Sequence, residues 1–215
     1  MRNIEKDELE MAAKREAMLK EGFRLFSEKG IEPVTMQQIA DASRIGVATV
    51  YRYYLNKLSL VIAIGKQKWD EYGEYVLKVR TERNADAMSA AEELAFYLDF
   101  YIDLYQNHKD LLCFNQDFNN FVKHERATAE ELMPYLSAIG AFRKMFNSVY
   151  EKGKRDGTIR TDLPEDKMFA ATSHIMMAVG VRYAQGLVYL ADNESDRTEE
   201  YTMLRNMILR EYVVK

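Results

Sequence analysis

At 215 residues the chain is long enough for a small head plus a larger helical body, or for one sizeable domain. Three prolines, ten glycines and abundant Leu, Met, Ala, Glu, Lys and Arg favour helix, and a single cysteine excludes an internal disulfide. The net charge of −4 divides unevenly: residues 1–60 carry +1 and residues 61–215 carry −5, a local balance that suits a basic surface on an acidic body.

In chain order, Met1 to Glu16 is charged and lacks the apolar run of a signal peptide. No later stretch reaches transmembrane length, so a cytoplasmic protein without a membrane span is expected. Thr35 and Gln38 have capping-box spacing and open a short helix whose apolar side is Ile39 and Ala40. Ser43-Arg44-Ile45-Gly46 interrupts it, with Gly46 expected to supply the flexible backbone of the reversal. A second short helix, Val47 to Tyr54, places Val50 and Tyr54 inward at i, i+4 and leaves Val47, Ala48, Thr49, Arg52 and Tyr53 outward. A helix of this size fits the DNA major groove, and a helix-turn-helix enters that groove with its second helix. Between Pro33 and Leu60 Asp41 is the one acid, against Arg44, Arg52 and Lys57.

Asn56 is placed to cap a long helix from Lys57 toward Arg83, followed by a break at residues 84–89. Ala90 to Asn107 is apolar and aromatic on nearly every side, as in a buried helix. Leu111 to Val122 carries Phe114, Phe118 and Phe121 at helical spacing, and Ala129 to Lys154 is a further amphipathic helix. Pro164 suits the first position of the next helix, Lys167 to Leu190, and Thr198 to Val213 completes an all-α chain. The expected domains are a helix-turn-helix head at residues 10–60 and a helical body at 61–215.

At Thr35, Ile39-Ala40, Ile45, Ala48-Thr49-Val50-Tyr51-Arg52-Tyr53-Tyr54 and Lys57 the chain resembles the TetR family of bacterial transcriptional regulators. Upstream, Met18-Leu19, Phe23 and Leu25 to Gly30 look like that family's first helix with its glycine cap. Two positions depart from the pattern: Arg44 stands at the turn glycine, and Gly46 at the serine that usually caps the second helix.

The resemblance implies a three-helix head and a C-terminal ligand-binding and dimerisation domain. It also implies a homodimer that binds a palindromic double-stranded DNA operator, most simply as a repressor, and is released by a small-molecule effector. By the same resemblance Thr49, Tyr51 and Lys57 would meet phosphates, Gln37, Arg44, Val47, Ala48, Arg52 and Tyr53 would approach base edges, and Thr35 belongs to the same DNA-binding set. Arg and Gln offer paired hydrogen-bonding groups there, and Val or Ala can meet a thymine methyl. Arg52 and Lys57 are expected to be exposed.

The body is rich in Tyr and Met, which suits an adaptable pocket for a mainly apolar ligand, although periodic aromatics more often simply pack a core. The candidate lining is Tyr97, Tyr101, Phe114, Phe118, Phe142, Tyr150, Met176 and Tyr183, with Tyr hydroxyls or Asp117 fixing the ligand's polar end. Asp99 and Asp103 could face a cation or lie on solvated faces. Ala171, Ser173 and Gly180, with the stripe Leu204, Met207, Ile208 and Tyr212, are the candidate dimer surface. His108, His124 and His174 are scattered, without the ligand spacing of a zinc site, and no cofactor is expected. No nucleophile-elbow, P-loop or metalloprotease motif is present, which leaves an enzyme as the remote alternative. A regulator controlled by a protein partner is the nearer one.

Overall fold

The computed structural model describes residues 4–188 and 193–214. These form nine α-helices: α1 Ile4–Lys29, α2 Met36–Ala42, α3 Val47–Tyr53, α4 Lys57–Glu82, α5 Ala90–Asn107, α6 Lys109–His124, α7 Ala129–Asp156, α8 Glu165–Ala184 and α9 Glu194–Tyr212. A single 3₁₀ turn, Ala85–Ala87, precedes α5, and one isolated antiparallel bridge pairs Ile159 with Val213. Among the described residues the chain is thus all-α, and no helix is long and apolar enough to cross a membrane.

The chain forms two compact units. The first comprises the chain up to Trp69 together with Phe114–Ala138; the second comprises Asp70–Cys113 and the chain from Ile139 onward. The first unit closes over Met18, Leu25, Phe26, Ile31, Val34, Ile39, Val50, Leu60 and Ile64, all buried. Phe114 of α6 packs against Phe23 and Phe26 of α1, and Phe118 stacks on Tyr135 with ring centres 4.0 Å apart. The second unit is built on α5, whose Leu94, Tyr97, Leu98, Leu104 and Tyr105 are buried, together with Met168, Thr172 and Met176 of α8 and Tyr201, Ile208 and Tyr212 of α9.

Local chemistry sets the element ends. The break after α4 places Asn84 in the left-handed region, and Ser89 then opens α5 with a capping box to Glu92. The Ala90 amide donates to Asp156 at 2.7 Å. Beneath this corner the buried Glu93 carboxylate lies 2.6 Å from the Arg80 guanidinium and is also paired with the Lys152 ammonium. Pro164 is the N-cap of α8 rather than its first residue. That helix stops at Ala184, short of the expected Leu190, which lies outside the described residues. Gly186 takes φ 71°, and the amides of Gly186 and Leu187 return to the carbonyls of Tyr183 and Arg182, a Schellman ending that glycine makes favourable. At the other end, α1 begins at Ile4, well ahead of the Met18 to Gly30 stretch that its apolar residues mark.

Candidate nucleic-acid interface

The interface is set by how α2 begins and ends. The Thr35 hydroxyl accepts from the Gln38 amide at 3.2 Å while the Gln38 side chain accepts from the Thr35 amide at 2.8 Å, so the expected capping box forms. At the far end Arg44 N–H donates to Asp41 O and Ile45 N–H to Ala40 O, another Schellman ending. Here the left-handed residue is Arg44, at φ 57°. Gly46, by contrast, sits at φ −61° and ψ 136°, a conformation open to any residue. The expectation that Gly46 supplies the turn's freedom is therefore corrected: the turn bends at Arg44, and Gly46 is an N-cap without a side-chain acceptor.

Helix α3 buries Val50 alone, and its C-cap Tyr54 is buried behind it. Ala48 and Arg52 are exposed, Tyr51 is 51% exposed, and Val47, Thr49 and Tyr53 are half-buried. The seven-residue helix thus gives one side chain to the core and presents Ala48, Tyr51 and Arg52 on its exposed face. Gln37 and Arg44 are exposed on α2 and its turn, with the Gln37 amide donating to Asp41 at 2.8 Å. Lys57 departs from expectation, being half-buried. Its ammonium donates to the Glu32 carbonyl at 2.8 Å and lies 5.2 Å from the centre of the Phe121 ring. Burial lowers its pKa below the usual lysine range, against the opposing pull of Glu32 and Glu125. The cause is length: the four-carbon stem reaches back to the α1–α2 turn.

The candidate effector residues fall in both units. In the first, Phe114 and Phe118 pack the aromatic cluster described above, and the Asp117 carboxylate accepts from the Ile31 amide. In the second, the Tyr97 hydroxyl bonds the Tyr101 hydroxyl at 3.0 Å, which bonds Ser173 Oγ at 3.0 Å. Phe142 stacks on Tyr72, and Met176 lends its carbonyl to the Tyr201 hydroxyl at 2.6 Å. Tyr150 donates to the Thr161 and Leu163 carbonyls, holding the loop before α8, and Tyr183 donates to Glu200. Asp99 is paired with Arg205 at 2.9 Å, and Asp103 accepts from Tyr72, Tyr75 and Asn107, so both carboxylates have partners within the second unit. Tyr105 was legible only as an apolar helix position, yet its buried hydroxyl has no partner among the described residues.

The candidate dimer surface divides. Ala171 and Met207 are exposed and Leu204 half-buried, whereas Ile208 and Tyr212 are buried within their own chain. Residues 201, 208 and 212 share the inward face of α9, so the stripe read from sequence spans two faces. Gly180 is likewise taken up internally: a Cβ there would lie 2.9 Å from the Tyr201 hydroxyl of α9. Ser173 turns to Tyr101. The outward apolar residues that sequence reading missed are Ile175 and Met203, 44% and 54% exposed.

Residues 18–64 match the family model for bacterial regulatory proteins, tetR family. The HTH-type transcriptional repressor KstR2 of Rhodococcus jostii is 29% identical over 147 residues, covering 67% of each chain. The HTH-type transcriptional regulator SAR2658 of Staphylococcus aureus is 27% identical over 150 residues, covering 70% of this chain and 72% of its own. Among solved structures, the fold is shared with the ketosteroid transcriptional regulator KstR2 of Mycobacterium tuberculosis, at a TM-score of 0.63 and 17% identity over 94% and 95% of the two chains. It is also shared with the transcriptional regulator FadR of Bacillus subtilis, solved with stearoyl-CoA, at 0.71 and 15% identity over 91% and 97%. The helix-turn-helix geometry, the matched stretch that contains it and these regulators agree, and none of them points to an enzyme: the chain belongs to the TetR family of bacterial transcriptional regulators.

Proposed function

We propose that this regulator is a repressor that binds a two-fold operator as a homodimer and is released by a small, mainly apolar effector. The observation that carries the DNA reading is the exposure of α3, which commits one side chain to the core and leaves Ala48, Tyr51 and Arg52 open. Arg52, Gln37, Arg44, Val47, Ala48 and Tyr53 approach base edges, and Thr35, Thr49 and Tyr51 approach phosphates. Lys57 contributes by tying the start of α4 to the α1–α2 turn through the Glu32 carbonyl. Replacing Arg52 by Ala tests this: binding to a selected operator falls by about 1–3 kcal/mol and preference relaxes at one position of each half-site, while circular dichroism stays unchanged. Unchanged affinity would overturn the reading.

Dimerisation is assigned to the outward apolar residues of α8 and α9, Ala171, Ile175, Met203 and Met207, which favour an isologous contact. The effector is assigned to the second unit. There the linked hydroxyls of Tyr97, Tyr101 and Ser173 and the unpartnered Tyr105 hydroxyl offer polar anchors inside an apolar surround. A ligand with a long apolar part and one polar end fits that chemistry, and stearoyl-CoA in the FadR structure is of that class. A thermal-shift panel of long-chain acyl-CoAs and ketosteroids tests it, since a ligand of the folded state raises the melting temperature by mass action. A hit must also weaken operator binding; a panel with neither effect would move control to a protein partner.

A further inference from the structure

We infer that Arg15 of α1, three residues ahead of the stretch matching the family, is a further DNA-backbone contact, held at Tyr53 beside the base-reading Arg52. This rests on the DNA-binding reading above. The Arg15 guanidinium carbon lies 6.0 Å from the centre of the Tyr53 ring, and that of Arg52 lies 5.9 Å from the same centre. The Tyr53 hydroxyl donates to the Met11 carbonyl at 3.5 Å, so the first half of α1 is held beside the end of the recognition helix. Both arginines are exposed. The neighbouring charges on α1 are engaged elsewhere: Lys14 pairs with Glu10 at 3.6 Å, and Glu16 accepts from Gln67 at 2.9 Å.

Two exposed cations at one ring raise the local positive potential, which favours an approaching anion. A guanidinium that lies over an aromatic face keeps its in-plane N–H groups available, and their fork geometry matches phosphate. One DNA strand carries a charge about every 3.4 Å along the axis, so a guanidinium held beside a residue that enters the groove meets the flanking backbone. Arg15 thereby extends the footprint beyond the helix-turn-helix without reading sequence.

The test uses the full chain, a random-sequence duplex and the selected operator, with Arg15→Gln, Arg15→Lys and Arg52→Ala. Arg15→Gln should weaken binding to both duplexes equally and lower the slope of log affinity against log salt by about 0.9 per protomer. The deficit then narrows about threefold per protomer between roughly 50 and 200 mM salt. Arg15→Lys, which keeps the charge, should retain the wild-type slope. The inference is overturned if Arg15→Gln keeps the full salt slope while Arg52→Ala still binds weakly: Arg15 would then only brace Tyr53. A wild-type chain that binds neither duplex would instead overturn the DNA-binding reading itself.

Discussion

Arg44 occupies the one place in the helix-turn-helix where a left-handed backbone is required, with φ 57°. For a residue bearing a Cβ this conformation costs roughly 1–2 kcal/mol, partly offset in a glycine variant by the freer unfolded chain. Arg44→Gly should therefore stabilise the protein by about 1 kcal/mol in urea unfolding, and Arg44→Ala should bring no such gain. Gly46→Ser restores a side-chain acceptor at the start of α3, where a Cβ meets nothing within 4 Å, and should add a few tenths of a kcal/mol. Gain from Arg44→Ala equal to that from Arg44→Gly would contradict the strain argument. The resemblance marked both positions as departures, but which one bends the turn depends on dihedral angles that composition does not carry.

Asp117 gives a pH dependence. Burial pushes its carboxyl above the ordinary aspartate range, and the Ile31 amide only partly opposes this. The folded state thus holds the proton more tightly than the unfolded one, so this group's contribution to stability declines as pH rises through the carboxylate range. Asp117→Asn keeps an oxygen for the Ile31 amide and removes the penalised charge. Its melting temperature relative to wild type should rise as pH increases from about 4 to 7. A difference that shrinks over that interval would contradict the assignment.

At the scale of elements, α9 is the clearest case of a pattern only partly legible. Its apolar residues were visible, but Met207 faces solvent at 56% exposure while Ile208 is 8% exposed, and adjacent helical positions point about 100° apart. Met207→Glu should leave the melting temperature of the fold nearly unchanged and convert dimers to monomers in analytical ultracentrifugation. Ile208→Glu places a charge in the chain's own core and should lower stability outright. A dimer that survives Met207→Glu would move the interface elsewhere.

Helix α6 shows the same limit. Phe114, Phe118 and Phe121 are periodic, and periodicity cannot distinguish a core from a ligand lining. The 4.0 Å stack of Phe118 on Tyr135 puts that residue in the first unit's packing, so Phe118→Ala should cost roughly 3–5 kcal/mol. A loss under 1 kcal/mol would favour a cavity there. The Thr35 capping box and the break after α4 were legible because their signals are local. Glu93 between Arg80 and Lys152 was not, because that cluster joins residues far apart in sequence.

Across the whole molecule, the uneven charge division has a location. The positive excess of residues 1–60 includes Arg15, Arg44 and Arg52, which α1, the turn and α3 expose, while the acidic excess lies in residues 61–215. The exposed arginines of residues 1–60 favour approach to DNA, while the acidic excess of residues 61–215 disfavours contact with phosphates. Selection of binding sites from a random duplex pool, performed in parallel with wild type and Arg52→Ala, decides whether α3 reads DNA. Wild type should enrich a two-fold symmetric sequence whose half-site centres are separated by about one helical turn of 10–10.5 bp, or a multiple of it. Arg52→Ala should lose preference at one position in each half. No enrichment by wild type, or an identical enriched site with Arg52→Ala, would contradict that reading.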